Sequence, residues 1–172
     1  HQFWMCLRQL TENQPEWAAF ALGLHLRKEL EKIDSVNRCG HMLKEDQSGA
    51  QNIIKIAEAV PNTFLEQMLP QVLSLVTETA KERDGKLFRD SIWGYRSYKE
   101  EYMSMEESLL AACSNALRVL ANTGSGLFVH WVERLWEFGD YDTINFLLIN
   151  GFSVVSASGA NLAVEYLLEN PQ

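Results

Sequence analysis

The chain has 172 residues, and its 15 Lys and Arg residues against 23 Asp and Glu residues give a net charge of −8. Its hydrophobic fraction of 47% and charged fraction of 22% are typical of a globular protein and argue against intrinsic disorder. The length suits one domain. A net negative charge also argues against general nucleic-acid binding, which requires a basic surface, although an acidic chain can still carry a local basic patch. We do not expect nucleic acid as a partner.

Both ends of the sequence interrupt a helical pattern. Phe3, Trp4 and Leu7 recur at helical spacing close to the first residue, and the last apolar pair, Leu167-Leu168, is followed by only four residues. We therefore expect an excised part of a longer protein. No apolar run approaches the roughly 18 residues that suggest a membrane span. Three widely spaced cysteines do not form a disulfide framework, so we expect a cytoplasmic location without membrane association.

Three further helices are predicted in the first half of the sequence. Pro15 suits the first position of a helix. The apolar stripe of this helix consists of Trp17, Phe20, Ala21 and Leu24. A second helix begins at about Ala50 and ends at Pro61-Asn62. The next covers residues 63–83, where Pro70 predicts a kink or two short helices.

Capping residues predict four helices in the second half. Ser104 and Glu107 match the capping box, and the helix that they begin ends near Asn122-Thr123-Gly124. The N-caps of the next three helices are predicted at Ser125, Asp140 and Ser158. Their apolar stripes are Phe128, Trp131, Val132, Leu135 and Trp136, then Ile144, Leu147 and Leu148, then Leu162, Ala163, Tyr166 and Leu167.

Seven or eight helices joined mostly by short turns predict an all-α fold of stacked antiparallel helical hairpins. The predicted helix starts are spaced like those of two-helix repeats, whose pairs occupy about 34 to 47 residues. In such α-solenoids, which include HEAT and TPR proteins, each hairpin stacks only on its neighbours, which suits a chain cut at both ends. We therefore expect residues 1–172 to form a single helical-repeat module, with a closed helical bundle as the alternative.

One stretch between the predicted helices has a different composition. Residues 83–104 combine basic and aromatic side chains and lack a clear helical period. Aromatic residues and arginine dominate binding hot spots because they bury large rigid areas and carry polar groups. The residues that we predict to bind a partner are Arg89, Trp93, Tyr95, Arg96, Tyr98 and Lys99. Acidic residues nearly cancel the positive charge of the segment, which favours a protein partner over nucleic acid. In the alternative interpretation, this long inter-helix segment packs its aromatic residues over the ends of neighbouring helices.

Motifs of catalysis and of cofactor binding are incomplete. Gly85-Lys86 is followed by Leu87 instead of the hydroxyl residue of a phosphate-binding loop. Gly124-Ser125-Gly126 lacks the spacing of a nucleophile elbow. Cys39-Gly40-His41 offers two possible zinc ligands, whereas a tetrahedral site needs four. We therefore predict no catalytic residue, no cofactor and no metal.

Three segments of the sequence are similar to those of a known protein family. They are Asp90-Ser91-Ile92-Trp93-Gly94-Tyr95-Arg96, then Glu107-Ser108-Leu109-Leu110 with Ala116-Leu117-Arg118-Val119-Leu120-Ala121, and finally Ala163-Val164-Glu165-Tyr166-Leu167-Leu168-Glu169-Asn170-Pro171. Together they resemble the C-terminal helical-repeat region of large bacterial STAND and NACHT-type NTPases, including antiviral ones. The resemblance implies a sensor segment that recognises a foreign protein, such as a phage structural or packaging component. In that family, binding of the foreign protein triggers assembly of the ATPase and its attached effector.

Three hypotheses of function remain open. The first is a non-catalytic protein-binding module that uses residues 83–104 and adjoining helix faces. The second is a structural spacer that packs against neighbouring domains of the same chain. The third is a helical enzyme, which requires a cleft that joins His25 or His130 to buried carboxylates.

Overall fold

The computed structural model describes residues 2–32, 47–83, 87–93, 105–124, 126–155 and 159–169. The helices in these ranges are α1 (Gln2–Asn13), α2 (Pro15–Lys32), α3 (Gln47–Ala59), α4 (Pro61–Thr79), α5 (Met105–Asn122), α6 (Gly126–Trp136), α7 (Asp142–Phe152) and α8 (Ala160–Glu169). Two three-residue strands, β1 (Lys81–Arg83) and β2 (Leu87–Arg89), pair antiparallel. The described part of the chain is mostly helical, as predicted, and the short strand pair was not expected.

The helices pack around a centre formed by α3, α4 and α5. The most extensive contact joins α3 to α5, and α4 packs against α5 as well. On one side, α1 and α2 contact each other, α1 contacts α3, and α2 packs against α4. On the other side, α7 packs against α5 and contacts α6, α8 and β2. The buried apolar side chains of these elements form one continuous hydrophobic core.

The boundary between α1 and α2 lies where the sequence predicted it. Gln14 separates the two helices, and its backbone N–H donates to the carbonyl of Leu10 at 2.6 Å. Pro15 then occupies the first position of α2, where the N–H that proline lacks has no partner within the helix. The predicted helix start at Pro15 is confirmed.

The helix expected over residues 63–83 differs from the prediction in its limits and is not divided. It begins at Pro61, ends at Thr79 and continues through Pro70 as a single element, so the expectation of two short helices is wrong. The alternative expectation of a kink at Pro70 stays a prediction. Pro70 and Glu66, whose carbonyl loses its helical partner at the proline, lie on the exposed side of α4. Water can bind that carbonyl, so the proline does not divide the helix.

Most of the predicted limits in the second half agree with the structure. α5 ends at Asn122, and Gly124 follows with a backbone φ of 63°, a conformation that glycine adopts without steric cost. α6 buries Phe128, Trp131, Val132 and Leu135. The predicted cap of α7 is wrong, because Tyr141 and not Asp140 precedes the helix. The predicted caps Ser104, Ser125 and Ser158 lie outside the described residues.

Candidate functional site

The segment predicted to bind a partner, residues 83–104, begins at the last residue of β1 and includes β2, the second strand of a hairpin. In the pairing of β1 with β2, Lys81 lies opposite Arg89 and Glu82 opposite Phe88. The N–H of Phe88 donates to the carbonyl of Asp140 at 2.8 Å, and its ring lies 5.3 Å from the ring of Tyr141. The hairpin is therefore attached to the start of α7, more than fifty residues along the chain.

Asp90 joins this strand to α7 through its buried carboxylate. One carboxylate oxygen accepts hydrogen bonds from the N–H groups of Ile92 at 3.0 Å and Trp93 at 2.5 Å. The other accepts from the hydroxyl of Thr143 at 2.5 Å. Asp90 and Thr143 are both fully buried. Buried charge is tolerated only where hydrogen bonds replace water, and these three bonds supply that replacement.

Trp93 lies in the hydrophobic core, with only 1% of its surface exposed. Its indole N–H donates to the backbone carbonyl of Glu106, in the first turn of α5, at 2.8 Å. The sequence placed Trp93 among the residues that contact a partner, and in this structure its side chain is not available to one. Its position instead favours the alternative interpretation, in which the aromatic residues of this segment pack against neighbouring helices.

Of the other five predicted binding residues, the structure describes Arg89 and leaves four undescribed. Arg89 is partly exposed, and its Nε lies 3.2 Å from an oxygen of the Asp142 carboxylate. Asp142 belongs to the first turn of α7, so this ion pair also connects β2 to that helix. Tyr95, Arg96, Tyr98 and Lys99 lie outside the described residues. Their role in binding stays a prediction.

Among the residues that the structure describes, the largest exposed aromatic side chains lie elsewhere, on α2. Trp17 is 64% exposed, Phe20 41% and Leu24 55%. They occupy one side of the helix together with exposed charged residues at its two ends. We call this surface the outer face of α2, and it consists of Glu16, Trp17, Phe20, Leu24, Arg27 and Lys28. An exposed tryptophan next to an exposed phenylalanine is typical of a protein-binding surface.

The opposite side of α2 faces the core. Its residues Ala18, Ala19, Leu22 and Leu26 are completely buried. Gly23 permits close packing on α4, because a Cβ at this position would lie 3.0 Å from the Cβ of Gln67. The apolar stripe that predicted α2 from the sequence is therefore its exposed side, and its residues were not among the predicted binding residues. The sequence feature that could have indicated this exposed surface is the presence of apolar residues on both sides of one helix.

A second exposed apolar surface lies on α8. Val164 and Leu167 are each more than half exposed, and Leu168 is 76% exposed. We call these three residues the outer face of α8. Tyr166 points the other way and is buried, with its hydroxyl donating to the side-chain carbonyl of Asn145. The predicted stripe of this helix is thus buried at Tyr166 and exposed at Leu167.

The residues considered for catalysis or metal binding are dispersed. The ring of His25 stacks on Phe3 at 4.0 Å, and exposed His130 lies beside Trp131. Burial raises the pKa of the Cys113 thiol to about 12, which keeps it protonated and unreactive at neutral pH. Within the described ranges, no three His, Cys, Asp or Glu side chains are grouped as metal ligands. Cys39, His41 and Ser125 lie outside those ranges.

None of the helices that the structure describes combines the length and the apolar character required to cross a membrane. Comparison of the chain with family models, with curated proteins and with solved structures finds no match. The candidate sites of this chain are therefore the outer faces of α2 and α8 and the hairpin that is attached to α7.

Proposed function

We propose that this chain is a non-catalytic protein-binding module built from consecutive antiparallel helical hairpins. Contacts of α1 with α2, α3 with α4, α5 with α6, and α7 with α8 support the hairpins. Contacts from α1 to α3, from α3 to α5 and from α5 to α7 support stacking of each hairpin on the next, as in an α-solenoid.

The outer face of α2 is the observation that carries the binding function. Trp17, Phe20 and Leu24 expose much of their apolar surface, while the other side of the helix is buried. At about 25 cal/mol per Å², covering the exposed parts of these three side chains gains on the order of 5–10 kcal/mol before the entropic cost of association. Covering this face therefore supplies a large part of the free energy that association with a protein partner requires.

Residues 83–104 remain a second predicted contact region because of their composition, with Trp93 now assigned to the core. The resemblance to sensor regions of bacterial antiviral STAND NTPases supports a foreign protein, such as a phage component, as the partner. The widely spaced cysteines support a location in the cytoplasm.

Photo-crosslinking tests this function. A Phe20→p-benzoylphenylalanine variant, irradiated in cells, is expected to form an adduct with a protein, and Trp17→Ala in the same chain is expected to reduce that adduct. The matched control carries the probe at Val129, which is equally exposed on α6. The proposal fails if position 20 gives no protein adduct above the level of the control.

A structural spacer is the second candidate, and the outer face of α8 favours it. Val164, Leu167 and Leu168 form an exposed apolar stripe on the last described helix. A neighbouring part of a longer chain would bury this stripe. In that case the chain of 172 residues is expected to self-associate through α8, and Leu167→Ser with Leu168→Ser is expected to abolish the association. Self-association that survives this double substitution argues against the spacer.

A further inference from the structure

The charges on the outer face of α2 are separated along the helix. Acidic Glu16 is exposed at its beginning, and basic Arg27 and Lys28 are exposed towards its end. The apolar residues lie between them. At 100° per residue, all six side chains of this face fall within about one third of the helix circumference. Between residues 16 and 28 this face therefore has an acidic beginning, an apolar middle and a basic end on a single surface.

The spacing of these residues is symmetric about Leu22. Glu16 and Lys28 are equally distant from Leu22 along the helix, as are Trp17 and Arg27, and as are Phe20 and Leu24. Two copies of α2 placed antiparallel, with their Leu22 positions level, bring the beginning of one face to the end of the other. At 100° per residue, Glu16 and Arg27 lie on one side of the face and Trp17 and Lys28 on the other, and a two-fold axis keeps each side together. Glu16 then meets Arg27 of the second copy, Trp17 meets Lys28, and Phe20 meets Leu24 near the middle.

We propose that a second copy of this chain occupies the outer face of α2, in an antiparallel pair related by a two-fold axis at the level of Leu22. This inference rests on the proposed protein-binding function and names the partner. A two-fold interface uses the same patch of both subunits, and this patch complements itself in charge and in apolar contact. Each pairing of Trp17 with Lys28 also permits a cation–π contact.

A parallel arrangement of the two helices is disfavoured. It would place Glu16 beside Glu16 and the basic pair beside the basic pair, and like charges repel. The helical stretch from Glu16 to Lys28 is about 18 Å long, at 1.5 Å per residue. An interface of one helix on each side is small, so we expect a reversible dimer with a dissociation constant on the order of ten micromolar.

Sedimentation of the purified chain at increasing concentration measures the dimer. We expect the mass to rise from one copy to two between about 1 and 100 µM. Trp17→Ala with Phe20→Ala is expected to keep the chain monomeric across this range. The matched control is Val164→Ala with Leu168→Ala on α8, which is expected to leave the dimer unchanged. Because Trp17 and Phe20 are exposed, circular dichroism should show that the fold is retained.

Charge reversal tests the antiparallel geometry. Glu16→Lys makes both ends of the face basic, and Arg27→Glu with Lys28→Glu makes both ends acidic. Each variant alone is expected to dimerise roughly tenfold more weakly than the original chain. An equimolar mixture of the two is expected to restore the dimer as a mixed pair. Glu58→Lys on α3 reverses one exposed charge elsewhere and is expected to have no effect.

The outcomes separate this inference from the proposed function. A chain that stays monomeric at 100 µM, a dimer that survives the Trp17 and Phe20 substitutions, or two reversed variants that do not pair overturns the inference. If the crosslinker at position 20 then forms adducts with a different protein, the binding function stands without the dimer. If it forms no protein adduct, the binding function fails as well.

Discussion

Replacement of Asp90 by alanine is expected to destabilise the protein strongly without touching any exposed surface. The carboxylate accepts three hydrogen bonds, two from the backbone of Ile92 and Trp93 and one from Thr143. Asp90→Ala removes both acceptor oxygens and therefore all three hydrogen bonds, including those from the buried Thr143 hydroxyl and from the N–H of Trp93. It also releases the residues after β2 from α7.

The size of the expected loss of stability follows from these hydrogen bonds. A hydrogen bond to a charged group contributes about 1.5–3 kcal/mol, and the desolvation cost of the buried carboxylate, several kcal/mol in real proteins, offsets part of the sum. Ile92 is partly exposed, so water can replace one acceptor. We expect the free energy of unfolding to fall by about 3–5 kcal/mol, measured by urea unfolding followed by circular dichroism.

Three further substitutions identify the cause of this destabilisation. Asp90→Asn with Thr143→Val, measured singly and together, should give a coupling energy of about 1–2 kcal/mol between the side chains. Glu82→Ala, which removes an exposed carboxylate from the neighbouring strand, should change the stability by less than about 0.5 kcal/mol. An effect of Asp90→Ala no larger than that of Glu82→Ala would refute the assignment of Asp90 as the connection to α7.

The remaining predictions concern close packing and buried ionisable groups. Gly151→Ala should destabilise by about 1–3 kcal/mol in urea unfolding, because its Cβ would lie 2.9 Å from the ring of buried Phe128; Gly126→Ala, with open space around it, is the control and should not destabilise. Cys113 should resist alkylation at pH 8 while exposed Cys6 reacts, as mass spectrometry of the two peptides would show. The pKa of the Cys113 thiol is near 9.0 in the unfolded state and about 12 in the folded state, so the unfolded state loses this proton first as the pH rises. Between pH 9 and 12 this group should therefore lower the free energy of unfolding by about 1.4 kcal/mol per pH unit. Tyr166, whose pKa is raised to about 12 by burial and by the charge of Asp140, adds to that fall above pH 10, and Cys113→Ala should make the slope shallower.

The sequence predicted where helices lie better than which side of each helix is buried. For α2, the apolar spacing and Pro15 predicted the helix and its start. Both sides of this helix carry apolar residues, so the spacing alone could not distinguish them. Packing against α4 distinguishes the two sides, because Gly23 allows a close approach to Gln67 on the side that also buries Ala19 and Leu22.

The hairpin and its attachment to α7 were harder to predict. Asp84-Gly85 lies between β1 and β2 in the sequence and is a dipeptide that favours tight hairpin turns, so it was an available signal. Strands of three residues are too short to show an alternating pattern. The bond from Thr143 to Asp90 connects residues that are 53 positions apart, and one sequence contains no information that pairs them.

Two tryptophans show what decides whether an aromatic residue can bind a partner. Trp93 lies in a segment whose composition is typical of an interface, but the carbonyl of Glu106 accepts its indole N–H and the core covers its ring. Trp17 lies in a stripe typical of a buried helix side, yet most of its surface is exposed. Aromatic content was the same kind of signal in both places, and the difference arises from the packing of the neighbouring helices. We therefore expect a partner to contact the outer face of α2, because covering the ring of Trp17 removes from water an apolar surface that folding leaves exposed.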